Sequence, residues 1–208
     1  MKNILKKIGR VIISFCILTY CKIVYRLKVV GLENVPDDGA VIFCGNHRTY
    51  LDPPAIVVTA GRHMRFMAKE ELRKNKFFAL LGFIFDAIYV KRDSKDITAM
   101  KDALKTLKSG GCVGLFPEGT RNGLEKNDGK LKNGAAYLAL KTGAKIVPIG
   151  IKGDTKPFTP ATITFGKPLD LSKYEGVKKI DETLEDEVSE LLKKEIIRLS
   201  TEEEKKEE

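Results

Sequence analysis

The chain has 208 residues, which suits one domain with a substantial hydrophobic core and room for a peripheral element. Its 37 lysines and arginines outnumber its 28 aspartates and glutamates, so the net charge at pH 7 is +9. Such a charge often indicates nucleic-acid binding, but the sequence has no recognition-helix pattern, no aromatic-rich sheet motif and no zinc-ligand spacing. We therefore expect no nucleic-acid partner, and an anionic membrane surface or a phosphorylated small molecule fits better.

The first 25 residues predict a membrane-associated helix. Apolar residues recur every three or four positions with basic residues between them, as in an amphipathic helix with a basic polar face. From Val11 to Tyr20 the chain is apolar nearly all round, but this run is too short for a bilayer span, which takes roughly 20 residues. We interpret residues 1–25 as a monotopic anchor in one leaflet, on the cytoplasmic face of the cell membrane. A single span with snorkelling lysines and a soluble helix packed on the core are the alternatives.

Beyond the anchor, residues 26–200 predict an α/β domain. Predicted strands and helices alternate, which indicates a mostly parallel central sheet flanked by helices on both faces. Pro148 inside one of the strands indicates an edge strand or a bulge. We expect an acidic disordered tail at residues 201–208. The predicted strands are 26–30, 40–44, 64–69, 86–90, 111–116, 145–151 and 161–165, and the predicted helices begin at Asp52 and cover 76–85, 94–107, 132–142 and 181–199.

Cysteine and histidine usage argues against disulfides and metals. Cys44 and Cys112 fall within apolar runs and no C-x-x-C pair occurs, which favours reduced, packed thiols and a cytosolic environment. Two histidines and scattered carboxylates give no metal-ligand spacing. Gly114 and Gly119-Thr120 echo a phosphate-binding loop only weakly, because its lysine is missing. We expect neither a metal nor a cofactor.

The most informative stretch is Gly45–Pro54, which follows the uninterrupted apolar run at 40–44. Such a run is typical of a strand buried on both faces, so His47 and Asp52 lie on a short connection at the end of a core strand. This spacing allows the Asp52 carboxylate to fold back onto the imidazole, fix its tautomer and leave the other ring nitrogen as a base. Asp52 before Pro53 is equally typical of a capped helix N-terminus. Both roles are compatible if one carboxylate oxygen accepts from the backbone and the other from His47.

Charged residues follow four predicted strands, and the ends of parallel strands converge at one edge of a sheet. Arginine suits a phosphate there because its guanidinium fork binds phosphate bidentately. A solvated surface charge explains any one of these cations, but their repeated position after apolar strands favours a shared cleft. Glu118 would orient Arg121 or accept from a substrate hydroxyl. The residues at the strand ends are His47 with Asp52, Lys69, Arg92, and Glu118 with Arg121.

Four segments together resemble the ordered motifs of the glycerolipid acyltransferases, above all the bacterial 1-acylglycerol-3-phosphate acyltransferases. They are Asn46-His47-x-x-x-x-Asp52, Val90-Lys91-Arg92, Phe116-Pro117-Glu118-Gly119-Thr120-Arg121 and Ile146-Val147-Pro148-Ile149. The first and third segments are specific in this order and spacing, whereas the other two are weak alone. The resemblance covers about residues 26–165.

The resemblance implies a role for each site residue. It makes His47 the general base and Asp52 its orienting acid, and it places Lys69 near the reacting carbonyl. The remaining residues would serve the phosphate-bearing acceptor. They are Arg92, Glu118, Gly119, Thr120, Arg121 and Lys132.

The expected reaction is acyl transfer from acyl-CoA or acyl-carrier protein to the free hydroxyl of 1-acyl-sn-glycerol 3-phosphate, giving phosphatidic acid. One base suffices because a thiol with a pKa of about 8.5 is a good leaving group, and no G-x-S-x-G nucleophile elbow is present. Glycerol 3-phosphate or another lysophospholipid is the alternative acceptor, and a non-catalytic anionic-lipid binder is the alternative class. The apolar run 76–85 predicts a core helix or, less favoured, an acyl-chain wall.

Overall fold

A computed structural model describes residues 2–91, 96–122, 124, 129–154, 156–174, 176–177 and 179–201. Within this part of the chain a seven-stranded sheet has the order β1-β7-β6-β2-β5-β3-β4. Its strands are β1 (Lys28–Val30), β2 (Val41–Gly45), β3 (Met64–Lys69), β4 (Ile88–Val90), β5 (Cys112–Leu115), β6 (Lys145–Gly153) and β7 (Ala161–Phe165). The helices are α1 (Lys2–Val24), α2 (Asp52–Thr59), α3 (Lys76–Ile84), α4 (Ile97–Lys108), α5 (Gly134–Thr142) and α6 (Glu182–Thr201).

The predicted mostly parallel α/β sheet is confirmed. Strand β2 lies in the middle of the sheet and pairs in parallel with β5 and β6, and β3 pairs in parallel with β5 and β4. Among the described strands only the β6–β7 pair is antiparallel. The carboxyl ends of β2 to β5 therefore meet at one edge, which is the edge where open α/β sheets bind their ligands.

The buried sequence of β2 divides the core into two layers. Val41 and Phe43 face the layer that contains α1 and α2, whereas Ile42 and Cys44 face the layer built by α4, α5 and α6. A strand covered on both faces needs apolar side chains at every position, which explains the lack of alternation in its sequence.

The prediction that Pro148 marks an edge strand or a bulge is wrong, because β6 lies between β2 and β7. Pro148 pairs with Cys44 of β2, and its carbonyl accepts from the Gly166 amide at 2.8 Å. The N–H and C=O of an extended residue point to the same side, so the missing donor faces Gly166. That position lies just beyond the last β6–β7 pair, Ile149 with Phe165, so the bond that Pro148 cannot donate falls outside the paired residues of the two strands.

Helix α1 presents its apolar side to solvent and two of its cations, Lys6 and Arg10, to the protein. Lys6 and Arg10 turn inward onto Asp86, and Arg10 also donates to the Ile84 carbonyl at 2.9 Å. Burial raises the pKa of Asp86, but the Lys6 hydrogen bond and the charges of Lys6 and Arg10 bring it below its usual value. Cys21 packs into the core. The outward apolar residues are Ile4, Leu5, Ile8, Val11, Ile12, Phe15, Tyr20 and Ile23.

This arrangement reverses the usual polarity of a surface helix, which buries its apolar stripe. No helix in the described part of the chain is both long enough and apolar enough to cross a bilayer. The monotopic anchor therefore remains a prediction, and the outward apolar face is the structural feature that bears on it.

Helix α3 forms where the sequence predicts it, but the expectation of a core helix is wrong for one side. Ile84 is buried, whereas Phe77 and Phe83 are exposed. Asn75 begins the helix by accepting from the Phe77 and Phe78 amides with its side-chain oxygen. The helix lies at the rim of the domain and contacts α1, so one of its faces has no covering element among the described residues.

All four cysteines are free thiols. Cys44 and Cys112 are buried free thiols as expected, and burial raises the pKa of both, whereas Cys16 is exposed. The predicted acidic tail lies outside the described residues apart from Thr201, which ends α6.

Gly150 tests how tightly α6 packs on the sheet. A Cβ at Gly150 would lie 2.3 Å from the carbonyl carbon of Leu199, so Gly150→Ala should lower the free energy of unfolding by about 1–3 kcal/mol. A Cβ at Gly134, the first residue of α5, would have its nearest neighbouring atom 3.8 Å away, so Gly134→Ala should be neutral or stabilising. Urea denaturation measures both, and a Gly150→Ala protein as stable as the Gly134→Ala protein would contradict this packing.

Candidate active site

The turn that carries His47 is fixed to the neighbouring strand by Asn46. The Asn46 side-chain oxygen accepts from the Ile151 amide at 2.7 Å, and its NH2 group donates to the Ile151 carbonyl at 2.9 Å. Asn46 is buried, so these bonds satisfy both halves of an amide that would otherwise be costly to enclose. The chain therefore leaves β2 in one defined direction.

Asp52 organises the turn from its other end. Its Oδ2 accepts from the amides of Arg48 at 2.5 Å and Thr49 at 2.6 Å, and its Oδ1 accepts from the Thr49 hydroxyl at 2.7 Å. Asp52 is the first residue of α2 and Leu51 is its cap, so the carboxylate braces the preceding turn rather than the helix. The carboxylate is 6% exposed.

His47 is held by an acid on one side and a ring on the other. Its Nδ1 lies 2.9 Å from Asp52 Oδ2, the same oxygen that accepts the backbone amides. Its ring stacks on Phe116 with a centroid separation of 4.1 Å and an interplanar angle of 1°, and Phe116 in turn packs on Phe66. A carboxylate can only accept, so Nδ1 carries the proton and Nε2 keeps a lone pair. The imidazole is 18% exposed, which leaves it accessible to a substrate.

Glu118 joins the second loop to the histidine turn. Its Oε1 accepts from the His47 amide at 3.0 Å and its Oε2 from the Leu124 amide at 3.1 Å. The Asn122 amide donates to the His47 carbonyl at 2.7 Å, so both backbone groups of His47 are bound to this loop. Glu118 is 2% exposed, and its carboxylate holds the loop and the histidine together. The sequence predicted instead that it would orient Arg121 or accept from a substrate hydroxyl.

Arg121 leaves the same loop and lies on Tyr50. Its guanidinium carbon is 4.0 Å from the Tyr50 ring centroid, and its Nη2 donates to the Tyr50 hydroxyl at 3.2 Å. Tyr50 also packs against Phe78 of α3, with ring centroids 5.6 Å apart. Arg121 is exposed, and a cation stacked in this way keeps donors free for an anion.

Lys132 lies against the loop that contains Glu118. Its amide donates to the Pro117 carbonyl at 2.8 Å, and a Cβ on Gly119 would lie 2.6 Å from its Cε. Gly119 has φ +67, so a side chain at this position would be strained and would also displace the lysine.

Two of the remaining predicted site residues, Lys69 and Thr120, lie at this edge of the sheet and on the Glu118 loop. Lys69 is the last residue of β3 at the same sheet edge, and half-buried Thr120 lies between Gly119 and Arg121. Arg92 lies outside the described residues. No group of three or more possible metal-ligating side chains occurs in the described part of the chain.

Four residues that shape the site were given no role by the sequence prediction. They are Asn46, Thr49, Tyr50 and Phe116. Asn46 and Phe116 lie inside the segments that resemble the acyltransferase motifs, so their position was a signal. Thr49 and Tyr50 occupy unspecified positions between His47 and Asp52, where sequence gives no indication of a partner. Their roles follow from contacts made across the fold.

A pocket borders the histidine turn on the side of α1. The carboxyl end of α1 and the second half of β6 line this pocket together with the histidine turn. Its lining includes Cys21, Tyr25, Arg48, Asp52, Ile151 and Lys152.

Comparison with known proteins agrees with these motifs. A sequence model of the family described as Acyltransferase matches residues 26–152, more than half of the chain. The matched region contains both the histidine turn and the loop with Glu118 and Arg121.

Two curated relatives match a similar length of sequence. The 1-acyl-sn-glycerol-3-phosphate acyltransferase of Borreliella burgdorferi is 34% identical over 127 residues, which are 60% of this chain and 50% of that protein. The protein of the same name from Bacillus subtilis is 33% identical over 132 residues, which are 61% of this chain and 63% of that protein. The chain thus spans between half and two thirds of the length of these two relatives.

A solved structure extends the likeness to the whole fold. The 1-acyl-sn-glycerophosphate (LPA) acyltransferase PlsC from Thermotoga maritima aligns with a TM-score of 0.63 and 25% identity, covering 96% of this chain and 85% of that chain. The match of fold, motifs and sequence model confirms the resemblance, and the chain belongs to the acyltransferase family.

Proposed function

We propose that this protein is a 1-acyl-sn-glycerol-3-phosphate acyltransferase that uses acyl-CoA or acyl-carrier protein as donor and forms phosphatidic acid. The observation that carries the proposal is His47, whose Nδ1 is bound by Asp52 beside a loop that presents Arg121. The two curated relatives and the solved PlsC structure bear the same activity in their names.

In the proposed reaction His47 acts as a general base. Nε2 takes the proton of the acceptor hydroxyl as that oxygen attacks the thioester carbonyl, and the C–S bond then breaks. The new ester stays on the acceptor, the sulfur leaves as a thiolate, and the proton passes from the imidazolium to the thiolate. Asp52 stabilises the imidazolium because it lies 2.9 Å from Nδ1.

The stacked ring of Phe116 limits where Nε2 can point. Because the ring planes are parallel within 1°, rotation of the imidazole about its Cβ–Cγ bond would break the stack. The Asp52 bond opposes the same rotation. The Phe116 stack and the Asp52 bond therefore fix the direction of Nε2 before the substrate binds, and a positioned base requires this geometry.

We propose that Arg121 and Lys132 bind the acceptor phosphate, with Arg92 and Thr120 as further contacts and Lys69 near the thioester carbonyl. Arg121 is suited to this because its stack on Tyr50 fixes the plane of the guanidinium. Glu118 is a positioning residue in this scheme, since its two oxygens bind the amides of His47 and Leu124.

We also propose that α1 anchors the protein in one leaflet on the cytoplasmic face of the cell membrane. The residues before Glu33 include seven lysines and arginines and no acidic residue, and Lys7, Lys22 and Arg26 are exposed or half-buried at the surface. An apolar face flanked by cations is the pattern that binds anionic bilayers. The acceptor would then be taken from the bilayer in which it resides.

His47→Ala should lower kcat by at least about 10²–10⁴-fold, because that is the usual contribution of a general base. His63→Ala is the matched control, since His63 is the other histidine and its side chain is 42% exposed. A labelled acyl donor with 1-acylglycerol 3-phosphate, glycerol 3-phosphate and a lysophospholipid measures turnover and acceptor choice together. Full activity of the His47→Ala protein would contradict the mechanism, and preference for another acceptor would contradict the proposed substrate.

Arg121→Ala should raise the acceptor KM by about tenfold to a hundredfold, the value of a hydrogen bond to a charged group, and leave the donor KM unchanged. Lys101→Ala on α4 is the control for loss of one exposed positive charge. Steady-state kinetics with each substrate varied in turn decide the outcome. An unchanged acceptor KM would remove Arg121 from the phosphate site.

Glu118→Gln should reduce kcat with little change in acceptor KM, because the amide group cannot accept from both backbone amides and His47 would shift. The same change should lower the free energy of unfolding by about 1–3 kcal/mol, since a buried donor loses its partner. Glu71→Gln, at an exposed position, provides the comparison. A higher acceptor KM at unchanged kcat would instead make Glu118 a direct substrate contact.

A further inference from the structure

Helix α3 has an apolar face that no described part of the protein covers. Phe77 is 59% exposed, Leu80 is 51% exposed and Phe83 is 66% exposed. These residues are three positions apart and therefore lie along one side of the helix. Large side chains this exposed and this close together are unusual on a soluble surface and mark an interaction site.

The exposed face of α3 is continuous with that of α1. The Lys6 ammonium lies 4.7 Å from the centre of the Phe83 ring, and Ile84 Cδ1 lies 3.8 Å from the position of a Cβ on Gly9. Asp86, just beyond α3, holds Lys6 and Arg10. These contacts turn the cations of α1 inward at the junction, so the apolar sides of both helices open onto the same surface.

The charges at the border of this surface favour an anionic bilayer over a second copy of the chain as its partner. Lys7 on α1, Arg73 and Lys74 just before α3, and Lys76 at its start are exposed. Glu71 is exposed among them, whereas Glu70 lies within 4.0 Å of Lys91. A second copy of the chain docked on this surface would bring the same cations together, which opposes self-association. An anionic phospholipid bilayer satisfies both the apolar centre and the basic border.

The position of α3 links this surface to the site. Phe77 packs edge-on against Phe78 at 5.5 Å, Phe78 packs on Tyr50 at 5.6 Å, and Tyr50 carries the Arg121 guanidinium. A bilayer reached by Phe77 therefore lies two side chains away from the guanidinium that is the proposed phosphate ligand.

We propose that α3 is a second bilayer-inserting element. Its residues Phe77, Leu80 and Phe83 enter the interface of an anionic phospholipid bilayer beside α1, and they bring Tyr50 and Arg121 to the level of the lipid headgroups. The consequence for acceptor capture rests on the proposed function, whereas the insertion itself does not.

Tryptophan probes test the insertion directly, because the chain contains no tryptophan. Full-length Phe77→Trp and Phe83→Trp proteins are mixed with phosphatidylcholine–phosphatidylglycerol vesicles containing brominated acyl chains. Ile97→Trp on α4 is the control, since Ile97 is 64% exposed on the opposite side of the sheet. We expect a blue shift and strong quenching for both α3 probes and neither for Ile97→Trp. Equal quenching at all three positions would overturn the proposal, as would a blue shift that depends on protein concentration without lipid.

Vesicle cosedimentation gives a second, independent readout. The triple variant Phe77→Gln, Leu80→Gln, Phe83→Gln should bind these vesicles about tenfold or more weakly, given the apolar area removed. Ile97→Gln, Leu191→Gln, Ile197→Gln removes as many exposed apolar residues from the other side and should bind as the wild type does.

Neither binding assay requires turnover, so insertion can be confirmed even if the chain does not acylate 1-acylglycerol 3-phosphate. If it does, the α3 variant should keep kcat with acceptor in detergent micelles and lose activity on vesicles. Wild-type vesicle binding by the α3 triple variant would overturn the proposal whatever the activity.

Discussion

The bond between Asp52 and His47 is the interaction on which the candidate site depends. A single carboxylate accepts from the imidazole, from two backbone amides and from the Thr49 hydroxyl, so the same group shapes the turn and orients the imidazole. The turn is secured to β6 by Asn46 and to the second loop by Glu118. Loss of any of these bonds would act on the chemistry through the position of one ring. This explains why buried polar groups, which cost free energy when unpaired, are concentrated around this turn.

A second constraint comes from α1 and α3, whose apolar sides point away from the domain. In water this arrangement exposes side chains that would gain free energy by burial, so the fold is most favourable where an apolar phase covers them. Asp86 contributes to the outward apolar face of α1, because it attracts Lys6 and Arg10 to the protein side of the helix. The proposed acceptor is itself a lipid, and Tyr50 and Phe78 connect the exposed surface to Arg121. The proposed membrane surface and the proposed site are thus parts of one arrangement.

Much of the fold follows from sequence alone because parallel strands have a simple pattern. The runs at 64–69 and 161–165 coincide with β3 and β7, and the burial of β2 on both faces is evident from its unbroken apolar residues. The meeting of His47, Asp52 and the Glu118 loop at one edge follows from strand direction. Sequence failed where the outcome depends on a distant partner. Pro148 is tolerated inside the sheet only because β7 ends beside it, and nothing local shows that Glu118 turns inward. The apolar composition of α3 could not distinguish a helix buried in the core from a helix with one exposed apolar face, since both are rich in apolar residues.

The tautomer of His47 is the most direct test of the central claim, and it can be measured without substrate. The chain has two histidines, so a His63→Gln protein labelled with 15N at histidine reports on His47 alone. Nitrogen–proton correlation spectra recorded at a pH where the imidazole is neutral distinguish protonated from unprotonated ring nitrogens. The Asp52 contact predicts a protonated Nδ1 and an unprotonated Nε2. A proton on Nε2 and none on Nδ1 would mean that the nitrogen assigned as the base has no lone pair to use, and the mechanism would be contradicted.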